Sequence, residues 1–206
     1  MKICVVANPR TGSSSLFGLI MAHLPKTYHC VSEPFNVKHM KYISDDRNHI
    51  EIFENSDNVF FKNICYQYPT KYESKELWYE WLFSNFDKIV LLDRKNRVEQ
   101  SESFVYHETK NNLNWNIHSY YDLSNIEKSK IDDRIQLLEK DGQFLLENSN
   151  RFPLFYYEDL YVDKNMEKIN ELFNYLNIEP VQEYIDFFIF SEARKVRKSS
   201  KNTKLI

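Results

Sequence analysis

Residues 2–19 read KICVVANPRTGSSSLFGL, and this stretch decides the fold. Lys2 to Ala7 is a short apolar run with β-branched residues, which predicts a buried strand. Asn8 to Ser15 is a polar turn, and Leu16 to Leu24 is apolar enough for a core-facing helix. A strand, a tight turn and a helix in that order set a helix N-terminus at the carboxyl edge of a parallel sheet. Unpaired N–H groups and the positive end of the helix dipole converge there, so the turn suits a phosphate. The chain holds only 3 glycines, and Gly12 is in this turn. Pro9 stiffens its start, Ser13, Ser14 and Ser15 offer hydroxyls and an N-cap, and Arg10 brings a charge to its mouth. The triphosphate-binding pattern G-x-x-x-x-G-K-[ST] is not met, because no second Gly precedes a Lys and no Lys opens the helix.

The 206 residues suit one domain, 1–206, with a basic tail from about residue 194. Hydrophobic residues at 42% and aromatic residues at 16% can build a core and argue against disorder. A net charge of −3 gives no general attraction to nucleic acid or to an anionic membrane. Cys4, Cys30 and Cys65 lack metal-ligand spacing and read as reduced thiols. The 6 histidines show no metal spacing either, and no metal is expected. No apolar run reaches the roughly 20 residues of a membrane span, and no signal-peptide pattern is present. The expected location is therefore the cytoplasm of a bacterium or of a virus-infected host cell.

Outward from the opening unit, the chain alternates. Strands are expected at 27–31, 58–66, 88–92 and 152–157. Helices are expected at 74–86, after residue 93, around 131–146 and at 166–176, where apolar residues recur at helical spacing. Residues 37–56 read as a short helix and loops over the site, and 111–124 as a loop. Alternation of this kind predicts an α/β, three-layer, P-loop-like fold with a central parallel sheet flanked by helices. Ligands in such sheets bind beyond the carboxyl ends of the strands, which gathers Arg10, Glu33, Lys62 and Arg94 on one edge.

Four stretches together resemble the sulfotransferases. PRTGSSSL at 9–16 resembles their 5′-phosphosulfate loop, and KIVLLDRKNRVEQSESF at 88–104 their strand-and-helix motif for a 3′-phosphate. FPLFYYEDL at 152–160 is similar to their Tyr-Glu-Asp-Leu segment. SEPFN at 32–36 resembles a Glu-Pro-Phe turn of bacterial carbohydrate and nodulation-factor enzymes, with Gln100, Ser103 and Trp115 in matching places. The resemblance implies transfer of a sulfuryl group from 3′-phosphoadenosine 5′-phosphosulfate to an acceptor hydroxyl, on a carbohydrate or glycolipid.

That chemistry needs a phosphate cradle, cations for the equatorial and leaving oxygens, and a general base. The resemblance gives the cradle to Pro9, Arg10, Thr11, Gly12, Ser13, Ser14 and Ser15, and the catalytic roles to Arg10, Lys62 and Glu33. Lys62 is expected to end a strand beside the site, with a snorkelling edge residue as the bland alternative. Glu33 is expected to be the base, kept ionised by nearby Arg10 and Lys62 while partial burial raises its pKa, or else a cap on a helix starting at Pro34. The 3′-phosphate falls to Arg94 with Ser103. The register stays open, because Ser101 and Ser103 follow Arg94 at seven and nine residues whereas Lys95 and Ser103 are eight apart. Arg97 reads as a surface residue, and Trp115 as either a sugar platform or core. The basic tail either folds over the 3′-phosphate or is solvated. Two other readings remain: a phosphotransferase using Asp93 for Mg²⁺, and a non-catalytic nucleotide-binding module.

Overall fold

The strand Lys2–Ala7, β1, is apolar on both sides because both sides are covered: Ile3, Val5 and Ala7 enter one core, Cys4 and Val6 another. The computed structural model describes residues 1–36, 46–110 and 128–190. Five strands form one parallel sheet: β1, β2 (His29–Ser32), β3 (Val59–Ile64), β4 (Lys88–Asp93) and β5 (Leu154–Tyr156), in the order β2-β3-β1-β4-β5. The register sets Val5 beside Lys62 of β3 and Val90 of β4.

The helices are α1 (Ser13–His23), α2 (Asp46–Asn55), α3 (Lys75–Asn85), α4 (Arg97–Lys110), α5 (Lys128–Glu147), α6 (Met166–Leu176) and the short α7 (Gln182–Ile185). Leu16, Leu19 and Ile20 of α1 and Leu172, Phe173 and Leu176 of α6 pack on one face of the sheet. Phe53 of α2, Trp78 and Leu82 of α3 and Leu145 of α5 cover the other. The fold is the α/β, three-layer arrangement that the alternating pattern predicts. Burial on both faces is the reason the strands read as continuous apolar runs rather than as alternating ones.

The path of the chain places the site. From β1 it crosses by α1 to the edge strand β2, returns as β3 beside β1, and then crosses by α3 to β4 on the other side of β1. The carboxyl end of β1 is therefore the point where the winding reverses, the place where open α/β sheets bind ligands.

Local differences from the sequence reading have physical causes. Helix α1 starts at Ser13 rather than Leu16, with Gly12 as its N-cap at φ 77° and no side-chain capping bond. The three serines thus belong to its first turn, and no serine caps it. Residues 33–36 make a hydrogen-bonded turn, with Asn36 N–H donating to the Glu33 carbonyl at 3.2 Å, so Glu33 does not cap a helix at Pro34. Two π-helical segments, Glu158–Val162 and Asp186–Phe190, have no counterpart in the sequence reading. The second lies near α1, where His23 Nε2 accepts from Val181 N–H at 2.9 Å and Nδ1 donates to the Leu19 carbonyl at 2.7 Å. Among the described residues no helix is long and apolar enough to cross a membrane. Trp115, His39, His118 and the basic tail from 194 lie outside the described residues.

Candidate functional site

The loop after β1 is fixed from several sides. Asn8 N–H donates to the Leu92 carbonyl at 3.0 Å, and the Thr11 hydroxyl to the Asn8 carbonyl at 2.7 Å. Gln100 of α4, fully buried, donates to the Pro9 carbonyl at 2.7 Å, and the Tyr161 hydroxyl to the Gly12 carbonyl at 3.0 Å. Thr11 is also fully buried, and its hydroxyl ties the loop to its own start. Arg10 and Gly12 both have positive φ, 63° and 77°. Such alternation turns successive N–H groups toward one point, the geometry of an anion nest. Ser15 and Leu16 N–H return to the Gly12 carbonyl at 3.0 and 3.1 Å, which leaves the N–H groups just before them to face outward.

Gly12 is required on two counts. Its φ lies where L-residues are strained, and an added Cβ would stand 2.7 Å from Tyr161 Cε2 and 3.2 Å from Tyr157 Cδ2. The obstacle to a side chain is thus the tyrosine pair behind the loop.

Lys62 lies within β3, an interior strand, and points beneath the first turn of α1. It is 1% exposed, so it is neither a strand-end nor a snorkelling residue. Its ammonium donates to Ser14 Oγ at 2.9 Å and pairs with Glu33 Oε1 at 2.6 Å. The other carboxylate oxygen of Glu33 accepts from Asn36 at 2.9 Å and Gln67 at 3.3 Å. Glu33 itself has φ 53°, a second strained residue at the same edge. Burial pushes its carboxyl upward, but the Lys62 charge with the Lys62, Asn36 and Gln67 hydrogen bonds outweighs this, and the net shift is downward. The sequence reading set the charges of Arg10 and Lys62 against burial and expected burial to raise the pKa; the net shift is the other way, with Asn36 and Gln67 as donors it did not include.

The second basic group, Arg94, follows β4 at the same edge. Arg94 and Ser103 are not hydrogen-bonded to each other. Ser103 Oγ instead accepts from Arg10 Nε at 3.0 Å. Arg94 is 9% exposed, stacks 4.5 Å above the Tyr157 ring, and donates to Glu99 Oε2 at 2.7 Å. Its Nε is buried without a hydrogen-bond partner and faces Glu158 Oε1 at 3.8 Å. Glu158 in turn accepts the Lys95 and Asn96 N–H groups at 2.9 and 3.1 Å, which anchors the first π-helical segment to the β4–α4 turn. Lys95 is half exposed and pairs with Asp159 at 2.6 Å. Ser101 is fully buried and donates to the Ile131 carbonyl at 2.8 Å, a packing role between α4 and α5.

Arg97 is not a surface residue. It holds both oxygens of Asp93, at 2.6 and 2.7 Å, and also donates to Gln100 Oε1 at 2.8 Å. Asn8 Nδ2 completes the group by donating to Asp93 Oδ1 at 3.0 Å. Asp93, 3% exposed and saturated by these donors, is thereby withdrawn from the Mg²⁺ role that a phosphotransferase would give it. Among the described residues no cluster of His, Cys, Asp and Glu is placed to hold a metal ion.

Sequence reasoning quoted the motifs SEPFN and FPLFYYEDL but gave no role to their Asn36, Tyr157 and Glu158, and it missed Gln67 and Tyr161, for which no local signal exists.

No family model matches the sequence, and no curated protein matches it significantly. Solved structures do match. One is the crystal structure of a mouse sulfotransferase, SULT7A1, complexed with PAP, with a TM-score of 0.53 and 15% sequence identity. The likeness covers 99% of this chain and 66% of the mouse chain, so the protein spans just under two thirds of that neighbour's length. At this identity the likeness establishes the fold: the chain has a sulfotransferase fold.

Proposed function

We propose that the protein is a sulfotransferase that moves a sulfuryl group from 3′-phosphoadenosine 5′-phosphosulfate to a hydroxyl, on a carbohydrate or glycolipid acceptor. The observation that carries this reading is the buried Lys62–Glu33 pair joined to Ser14 in the first turn of α1. A buried ion pair is an expensive way to hold a fold together, and here it sits under an anion nest with strained residues on both sides. The fold shared with a PAP-bound neighbour supports the same donor. Three free thiols fit a reducing, cytoplasmic setting.

The outward N–H groups of the Arg10–Ser14 loop hold the 5′-phosphate. Arg10, steadied by Ser103, neutralises charge that develops on the leaving phosphate. Lys62 exchanges Ser14 and Glu33 for the oxygens of the transferring group. As Lys62 leaves, Glu33 loses its main stabilising charge while its burial persists, so its pKa climbs toward the range of a useful base. The acceptor hydroxyl gives its proton to the Glu33 carboxylate as the new S–O bond forms and the old S–O bond to phosphate breaks. Arg94 is the nearest fit for the 3′-phosphate, because its Nε is buried and lacks a hydrogen-bond partner.

The test is transfer itself. Donor labelled in the sulfuryl group is supplied with a panel of oligosaccharides and glycolipids, and label is followed into the acceptor. Labelled product with equimolar bisphosphate is expected. Phosphoryl transfer from Mg-ATP, with none from the sulfuryl donor, would overturn the reading.

A further inference from the structure

Two aromatic side chains meet at the carboxyl edge of the sheet without a part in holding the donor. Tyr66 stands two residues after β3, and Phe104 lies on α4, which follows β4; β3 and β4 are the strands on either side of β1. The rings touch edge to face, with 6.4 Å between centroids and 83° between planes. Tyr66 is 43% exposed and Phe104 partly so. Each adjoins a residue of the site. Gln67, next to Tyr66, donates to Glu33 Oε2 at 3.3 Å. Ser103, next to Phe104, accepts from Arg10 Nε at 3.0 Å. Partial burial, and after it the Glu33 charge, hold the Tyr66 hydroxyl above the usual phenol range, so it stays protonated at neutral pH close to that carboxylate. The other side of the pair is polar. Arg134 of α5 lies 5.0 Å from the centre of the Phe104 ring and donates to both oxygens of Glu108, at 3.1 and 2.9 Å. Both of these side chains reach solvent, where an ion pair contributes little to the fold.

We infer that the Tyr66–Phe104 pair, rimmed by Arg134 and Glu108, is the acceptor platform: a pyranose ring lies with its C–H face on Tyr66, some of its hydroxyls on the Arg134–Glu108 pair and one toward Glu33. A pyranose has a face of C–H groups and a rim of hydroxyls that both donate and accept. It therefore needs an apolar plane, a donor and an acceptor within the width of one ring. Tyr66 supplies the plane, Arg134 only donors and Glu108 only acceptors. A tyrosine is also stiff, so holding it flat under a sugar costs little side-chain entropy. A simple phenol would use the plane and leave the ion pair idle, so the rim selects for a sugar. This inference rests on the sulfuryl-transfer reading above, because it takes Glu33 as the goal of the acceptor hydroxyl, and the experiment separates the two.

The full chain is titrated with adenosine 3′,5′-bisphosphate by calorimetry. In its presence, cellobiose, lactose, maltose, N,N′-diacetylchitobiose and phenol are then titrated by saturation-transfer NMR. Wild type is compared with Tyr66→Phe, Tyr66→Leu, Arg134→Gln and Tyr184→Ala. Tyr184, on α7 beside His23, controls for the loss of an exposed tyrosine. At least one disaccharide is expected to bind wild type more tightly than phenol does. Tyr66→Leu keeps apolar bulk without the plane and should weaken that disaccharide about tenfold. Arg134→Gln should weaken it severalfold, Tyr66→Phe and Tyr184→Ala should bind it as wild type does, and bisphosphate affinity should be the same throughout. The platform is overturned by wild type binding no disaccharide, by phenol binding as tightly, or by unchanged sugar binding in Tyr66→Leu or Arg134→Gln. A loss in Tyr66→Phe equal to that in Tyr66→Leu would overturn it too, since the hydroxyl and not the ring would then be the contact. If the bisphosphate binds every variant alike and no disaccharide binds, the donor reading stands and the platform falls. Disaccharide binding that Tyr66→Leu abolishes, with no bisphosphate binding to any variant, would keep the platform and remove the donor reading.

Discussion

At the scale of single residues, Glu33 and Gly12 make the sharpest claims. Glu33 neutralises a lysine that is 1% exposed, and the two oxygens of its carboxylate have Lys62, Asn36 and Gln67 as donors. Glu33→Gln should therefore lower stability by about 1.5–3 kcal/mol, the worth of a hydrogen bond to a charged group. Because the folded-state pKa lies below the unfolded value of about 4.3, the carboxylate's contribution is present above that value. It is lost as pH falls through the lowered folded pKa. The stability gap between wild type and Glu33→Gln, read by urea unfolding, should thus be widest near neutrality and shrink on acidification. A gap that widens with acid would reverse the assignment of the ion pair. Turnover is the second readout. Loss of a general base should cost roughly 10²–10⁴-fold and remove the acidic limb of the pH–rate profile, whereas a mere counterion would leave that limb in place. Gly12→Ala should be destabilising by about 1–3 kcal/mol through its backbone conformation and the tyrosines behind it. A thermal melt matching wild type would mean that the loop does not have this conformation. Sequence reading singled out Lys62 by resemblance and placed it at a strand end, whereas it lies within β3. It expected burial to win at Glu33, whereas the Lys62 charge and hydrogen bond, with smaller help from Asn36 and Gln67, lower the pKa overall.

At the scale of elements, the decisive relation is how α4 meets the loop after β1. Arg94 precedes the helix, whereas Gln100, Ser101 and Ser103 lie on it, so counting residues from Arg94 cannot choose a helix face. Ser101 and Ser103 are about 200° apart around the axis at 3.6 residues per turn. One consequently faces α5 and the other faces Arg10. Sequence spacing cannot say which way either serine faces; the docking of α4 sets that. Gln100 is the joint: it donates to the Pro9 carbonyl and accepts from Arg97. Gln100→Leu should cost about 1–3 kcal/mol by leaving those partners unsatisfied, and should weaken nucleotide binding by loosening the loop. Val98→Ala, at a side chain 53% exposed on the same helix, should do neither. Calorimetry and thermal unfolding on the two variants check both statements. Identical behaviour of Gln100→Leu and wild type would show that α4 does not hold the loop.

At the scale of the whole molecule, the fold was readable because strands buried on both faces carry continuous apolar runs, and the strands at 2–7, 59–64 and 88–93 are of that kind. The π-helical segments were not readable, since their stability comes from contacts made elsewhere, such as Glu158 on the β4–α4 turn. The carboxyl edge of the sheet gathers a nest, a buried lysine, a carboxylate and two arginines from segments that are separate in the chain. Its central claim is that this edge receives a 3′,5′-phosphorylated adenosine and not a nucleoside triphosphate. Calorimetric titration of the full chain with adenosine 3′,5′-bisphosphate, set against ATP with Mg²⁺, tests that claim most directly. The account predicts saturable binding of the bisphosphate at one site, at least tenfold tighter than ATP, and loss of that binding in Arg10→Ala. Tighter binding of Mg-ATP, or bisphosphate binding unchanged in Arg10→Ala, would contradict it.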